Sequence, residues 1–351
     1  MAATVEDIRK KVHLEEFRVS HTSSSSFPGG YPGYDDSWNF NTFKENFRVD
    51  IVSLNEKEME FDMVGIDASI ANAFRRILIA EVPSMAIDKV FIFNNSSIIQ
   101  DEVLAHRLGL IPIFADPRLF NFPPTPVEGK NLTEEEQLHT EPDVHLVFEL
   151  KVKCTMNPEA PKDCVNPEIM YLNNKVTTKD IKWIPIGDQE EQFGVDGIRP
   201  VFDDILIAKL RPGHEIDLRM HCVKGVGCDH AKFSPVATAS YRLLPSITLL
   251  DTITDDLADR LIKCFSKDVI KTKTKNGVKK AYVADARKDT GMREIYRDEV
   301  LRDKVKLEKI RDHFIFSVES TGALPPEQLV EEAIKILHAK CQIYVDKLNS
   351  L

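Results

Sequence analysis

The sequence predicts an α+β fold from three features: two adjacent alternating runs near residue 50, a compact apolar helix directly after them, and a much longer helix near the end of the chain. Between the helices lies a middle third whose short apolar runs are separated by turn residues, which reads as a β-rich insert domain. With 351 residues, 42% of them hydrophobic, the chain can fill one large core or two ordinary ones.

Residues 1–45 form an N-terminal extension. From His21 to Phe47 it carries Ser23-Ser24-Ser25-Ser26 and Gly29-Gly30-Tyr31-Pro32-Gly33-Tyr34, with no helical or strand period. Two readings fit: a disordered tail, or an arm whose Phe27, Tyr31, Tyr34 and Trp38 dock on a partner. Periodicity begins at Phe47–Val52 and repeats at Glu58–Val64, which predicts one hairpin. Asp67 stands where a helix cap belongs and Pro83 closes the segment, so residues 67–81 are expected as about four helical turns. Ile66, Ile70, Ala73, Ile77 and Ala80 make its apolar stripe, which Phe74 and Leu78 widen.

A strand over Ser84–Phe93 and a short helix over Asp101–Leu108 come next. Pro117–Pro142 reads as an exposed insertion. Strands are expected at Val144–Lys153, Lys182–Ile186, Ile205–Leu210, Val236–Tyr241, Ala281–Ala284 and His313–Glu319, with Arg293–Lys309 as a solvated charged stretch. After Pro325-Pro326 the last helix runs to about Leu348. On it Val330, Ile334, Leu337, Cys341, Tyr344 and Leu348 step by four and three in a heptad-like seam. Ala333, Ile336, Ile343 and Val345 lie outside that seam. Packing within the chain accounts for part of this apolar surface, and a second chain could cover the remainder.

Acids outnumber bases by 56 to 46, the opposite of what a free nucleic-acid binder shows. Six cysteines without a C-x-x-C pair fit a reducing compartment, and no apolar run reaches the length of a membrane span. His221, Cys222, Cys228 and His230 lie close together but lack the usual ligand spacings. Lys271–Lys280 is the most basic run. It could be a nucleic-acid patch, but no aromatic interleaves before Tyr282, and a hairpin turning at Asn276-Gly277 explains the same letters. Neither a nucleophile elbow, a P-loop, a dinucleotide fingerprint nor an Asp-x-Asp-x-Asp run is present, so no catalytic residue is expected. The rival from another class is a metal-dependent enzyme built on His221–His230.

Four segments resemble the alpha-like subunit family of multisubunit RNA polymerases: Val64–Leu78 (VGIDASIANAFRRIL), His106–Ile113 (HRLGLIPI), His230–Ala237 (HAKFSPVA) and Phe314–Gly322 (FIFSVESTG). Their order and spacing cover most of residues 47–351. The nearest likeness is to the larger alpha-like subunit shared by nuclear RNA polymerases I and III. The archaeal and RNA polymerase II counterparts are the rivals within the family.

That resemblance implies a discontinuous dimerisation domain, residues 46–90 and 231–351, with a mixed sheet and the long C-terminal helix, interrupted by an insert domain at 91–230. It implies a non-catalytic scaffold that heterodimerises with the smaller alpha-like subunit. Ile70, Phe74, Ile77, Leu78, Val330, Ile334, Leu337, Cys341, Tyr344 and Leu348 are then the expected dimer interface. Arg75, Arg76, His106, Arg107, His230 and Lys232 become candidate contacts to the large subunits. Small polymerase-core subunits are further implied partners, and the nucleus, nucleolus included, is the implied location. No sequence-specific nucleic-acid contact, membrane contact or cofactor is expected. The RNA polymerase II relative carries a zinc loop with close cysteine pairs, whereas here Cys154 and Cys164 are separated by nine residues. Archaeal relatives can hold an iron–sulfur cluster in a ferredoxin-like segment. The matching region, about 250–309, offers only Cys264, one thiolate where four are needed.

Overall fold

The computed structural model describes residues 5–22, 31–35, 37–124, 140–161, 166–194, 197–275 and 277–350. The first elements used below are α1 (Val5–Lys10), β1 (Lys11–Leu14), β2 (Val19–Ser20), α2 (Phe40–Asn46), β3 (Arg48–Leu54), β4 (Glu58–Val64) and α3 (Ala68–Ala80). Next come β5 (Pro83–Asn95), α4 (Asp101–Gly109), β6 (Leu146–Lys153), β7 (Ile181–Ile184), β8 (Leu206–Lys209) and β9 (Glu215–Val226). The remainder are β10 (Val236–Leu249), α5 (Asp255–Lys263), β11 (Ile270–Lys275), β12 (Val278–Val283), β13 (Val305–Ser320) and α6 (Pro326–Asn349). Helices and antiparallel strands are thus combined in an α+β chain, as expected.

Chain contacts divide the protein into two compact units. One comprises Met1–Leu54, Glu60–Ala73 and Ser240–Ser317, the other Asn55–Met59, Phe74–Ala239 and Val318–Leu351.

In the first unit the sheet runs β2-β1-β13-β4-β3, and β10 also pairs with β13. Beneath it α5 and its neighbours bury Ile253, Leu261, Val269, Ile295, Leu301, Val305 and Leu307. Phe61 of β4 stacks on Phe316 of β13 with ring centroids 5.1 Å apart. Charge is handled by a closed network. Arg287 donates to both oxygens of Asp62 at 2.8 and 2.7 Å and twice to Glu60, while His313 Nε2 lies 2.8 Å from Asp62. Guanidinium and carboxylate meet face to face there, the geometry that offsets taking both charges partly out of water. Gly65, between β4 and α3, has φ +80°, and a Cβ there would stand 2.6 Å from the Asn46 carbonyl oxygen. Only glycine meets both demands.

Two features of this unit differ from the sequence reading. Lys11–Leu14 joins the sheet as β1, with Lys11 opposite Ile310 and His13 opposite Glu308. Four residues are too few to show a period. The stretch Arg293–Lys309 is not wholly solvated: Ile295, Leu301, Val305 and Leu307 are buried, and β13 begins at Val305. Its Val305/Leu307 alternation is interleaved with Lys304, Lys306 and Glu308. Glu308, 3% exposed, is matched by Lys306 at 2.6 Å and Lys11 at 3.2 Å.

The second unit is built on an antiparallel sheet in the order β7-β6-β9-β5. Leu146, Phe148, Leu150, Ile216, Leu218 and Met220 form its core with Leu104 and Leu108 of α4. β9 alternates apolar Ile216, Leu218 and Met220 with polar Asp217 and Arg219, a strand that the sequence reading left unassigned. Most of the expected insertion Pro117–Pro142, with Phe27, the serine run and Cys164, lies outside the described residues. Elsewhere in the N-terminal extension Tyr31 is buried, Arg9 sits 4.2 Å over the Tyr34 ring, and Trp38 is exposed.

Candidate subunit interface

α6 starts as the sequence requires, with Pro325 at the cap and Pro326 in the first turn. Leu329 and Ala333 are fully buried, anchoring the first half of the helix, and Val330 and Leu337 are half-buried. Ile334 is exposed. Lys340 Nζ reaches Glu81, just past α3, at 2.6 Å, and no later residue of α6 is tied by a hydrogen bond or ion pair to another part of the chain among the described residues. Beyond it every residue from Cys341 to Ser350 is exposed, including Ile343, Val345, Tyr344 at 67% and Leu348 at 70%. Helix–coil energetics do not hold an apolar helix end in water by themselves, and tertiary or quaternary packing normally does so.

The ten residues expected at a dimer interface therefore separate into three sets. Ile334, Cys341, Tyr344 and Leu348 on α6, and Ile70 on the first turn of α3, are exposed, while Val330, Leu337 and Phe74 are half-buried. Ile77 and Leu78 are 3% and 1% exposed. Those two side chains are spent on the chain's own core, because the widened stripe of α3 leaves one flank facing inward. The strand β3 is expected from the sequence, but its exposure as an apolar edge is not. All seven of its residues are exposed on an edge strand, Val49, Ile51, Val52 and Leu54 among them. Apolar residues in both phases of its alternation were the available signal.

All six other candidates belong to the second unit, and three of them, His106, His230 and Lys232, gather at one place. A shallow cleft of about 180 Å³ is lined by Ile87, Asp88, His106, Leu110, His230 and Lys232 with their neighbours. The His106 and His230 rings lie 6.3 Å apart, and Lys232 Nζ pairs with Asp88 at 2.8 Å. His230 Nδ1 accepts the Lys232 backbone N–H at 3.0 Å, so in the neutral ring the proton belongs on Nε2. Arg107 is committed elsewhere, donating to the carbonyls of Leu206 and Ile207 at 2.6 and 3.4 Å, which staples α4 to β8. On α3, Arg75 is half-buried and Arg76 exposed.

The metal alternative fails on geometry. His221 and Cys222 are adjacent on β9 and point to opposite faces of the sheet, both buried, while Cys228 and His230 are exposed beyond the strand. Burial pushes the His221 pKa down to about 4 and drives the Cys222 thiol far up. Among the described residues no group of three or more His, Cys, Asp or Glu converges on a possible ion position.

The RNA polymerase Rpb3/RpoA insert domain matches residues 90–243, and the RNA polymerase Rpb3/Rpb11 dimerisation domain matches residues 170–341. The DNA-directed RNA polymerases I and III subunit RPAC1 of Mus musculus is 57% identical over 350 residues, spanning 100% of this chain and 98% of that protein. The chain belongs to the alpha-like subunit family of multisubunit RNA polymerases. Within that family its likeness is graded. The subunit of the same name from Saccharomyces cerevisiae is 48% identical over 331 residues, 94% of this chain and 96% of that protein. The DNA-directed RNA polymerase II subunit rpb3 of Dictyostelium discoideum is 33% identical over 305 residues, 83% and 91% of the two chains. The alpha-like chain thus stands with the relatives named for polymerases I and III, as the four segments implied.

Proposed function

We propose that this alpha-like chain is the larger assembly subunit shared by nuclear RNA polymerases I and III and adds no catalytic group of its own. Its partner is the smaller alpha-like subunit, taken up along α6. One observation carries the reading: the helix leaves its last turns, with Tyr344 and Leu348, uncovered in a chain otherwise able to bury its core. Burying such a surface against a second amphipathic helix removes apolar area from water at about 25 cal/mol per Å². The cleft between His106 and His230 offers imidazoles and an ammonium over an apolar floor, chemistry suited to an extended polar segment of the second-largest subunit. The largest subunit and the small core subunits then complete enzymes that make ribosomal RNA precursor, 5S rRNA and tRNA. The location is the nucleus, nucleolus included, with pairing to the smaller subunit beginning in the cytoplasm.

Co-expression with candidate smaller alpha-like chains, followed by a mass measurement of the purified product, tests this. A one-to-one complex is expected. A monomer that every candidate leaves alone would overturn it.

A further inference from the structure

The hairpin β11–β12 explains the turn at Gly277, whose φ is +78°, but not the lysines on its strands. Its register places Lys271 opposite Tyr282, Lys273 opposite Lys280 and Lys275 opposite Val278. Directly opposed residues share a face, and so do residues two apart, so Lys271, Lys273, Lys275, Lys280 and Tyr282 all stand on one side. Every one of them is exposed.

The opposite side is treated differently. Lys279 turns toward α5 and is neutralised by Asp259, and its backbone N–H donates to Asp255. On the outer side Lys271 meets Asp268 at 3.2 Å, while Lys273, Lys275 and Lys280 have no carboxylate partner among the described residues. A like-charged pair set directly across a hairpin destabilises it. In a chain of net charge -10, these three ammonium groups on one small face run against the overall sign and make no ion pair that would stabilise the fold among the described residues.

We propose that the outer face of β11–β12 binds the backbone of single-stranded nucleic acid without regard to sequence, with Tyr282 as a stacking platform. Lysines two residues apart on a strand are about 6.7 Å apart, a ladder that can follow successive charges on an extended polyanion. Single-stranded nucleic acid is recognised by such a basic track beside an aromatic ring. Linear sequence keeps Tyr282 away from Lys271, but the hairpin restores the interleaving in space. An acidic polypeptide matches the charge but has no use for the ring. The inference stands on the charges and register alone and does not depend on the subunit role proposed above.

The test titrates the full-length chain against a labelled oligouridylate over about 50–200 mM salt. Three unmatched lysines predict a slope of log affinity on log salt of about -2, and K273Q/K280Q should reduce its size by about 1.4. Y282A should weaken binding while leaving the slope unchanged. Because both glutamines replace exposed, mutually repelling lysines, the double variant should melt no lower than the parent, which separates lost binding from lost fold. Failure to bind the oligouridylate, equal binding and slope in K273Q/K280Q, or capture of polyglutamate in its place would each overturn the proposal.

Discussion

On β9 the His221 ring lies 4.8 Å from Phe91 and 6.0 Å from His145, with only 2% of the residue exposed. Burial is the main reason its pKa falls from 6.5 to about 4, and His145, Lys89 and Arg219 add to the effect. Well above pH 6.5 the ring is neutral whether folded or unfolded and contributes no pH dependence. Between pH 6.5 and 4 the unfolded chain takes up a proton that the folded chain refuses, so stability falls with pH, by about 3 kcal/mol at most. H221F keeps an aromatic ring against Phe91 and has nothing to titrate. Urea midpoints of the two proteins should run parallel above about pH 7 and diverge below it, the parent losing more. Parallel curves down to pH 4 would mean that His221 is protonated in the fold.

At the scale of elements, α6 joins two different halves. Leu329 and Ala333 hold its first half in the core, whereas residues 341–350 make no buried contact. Deleting residues 341–351 should therefore leave the melting temperature of the isolated chain within a few degrees while abolishing capture of the smaller alpha-like partner. L337D should weaken capture by several kcal/mol, because Leu337 sits where the covered half meets the bare half and an unpaired carboxylate there is costly to bury. Undiminished pull-down of the partner by both variants would remove α6 from the interface.

How much of this could be read beforehand follows from the same periods. α3, α6 and the β11–β12 hairpin are legible because their repeat is long or their turn chemistry specific. β1 is not, since Lys11–Leu14 is too short to show alternation and becomes a strand by pairing with β13 and β2. Nor does a stripe reveal who covers it. Ile77 and Tyr344 both lie on apolar stripes, yet one is buried by its own chain and the other is open. The Arg287–Asp62–Glu60 network joins residues 225 and 227 positions apart in sequence, and local patterning cannot announce it.

For the molecule as a whole, two compact units with different surfaces make a single melting temperature a poor measure of partner binding. Amide hydrogen exchange resolves the question along the chain. In the isolated protein the amides of residues 341–349 should exchange quickly, since this helix end is bare, while β6 and β9 at the centre of their sheet should exchange slowly. A partner that binds only the folded helix adds stabilisation of RT ln(1 + [L]/Kd), about 2.7 kcal/mol at a hundredfold excess over Kd. Protection in residues 341–349 should then rise by about two orders of magnitude, and the α5 helix in the other unit should respond far less. A rise spread evenly over both units would point to general solubilisation rather than to a helix being covered. No change at residues 341–349 with any smaller alpha-like chain would show that their apolar side chains serve something other than pairing.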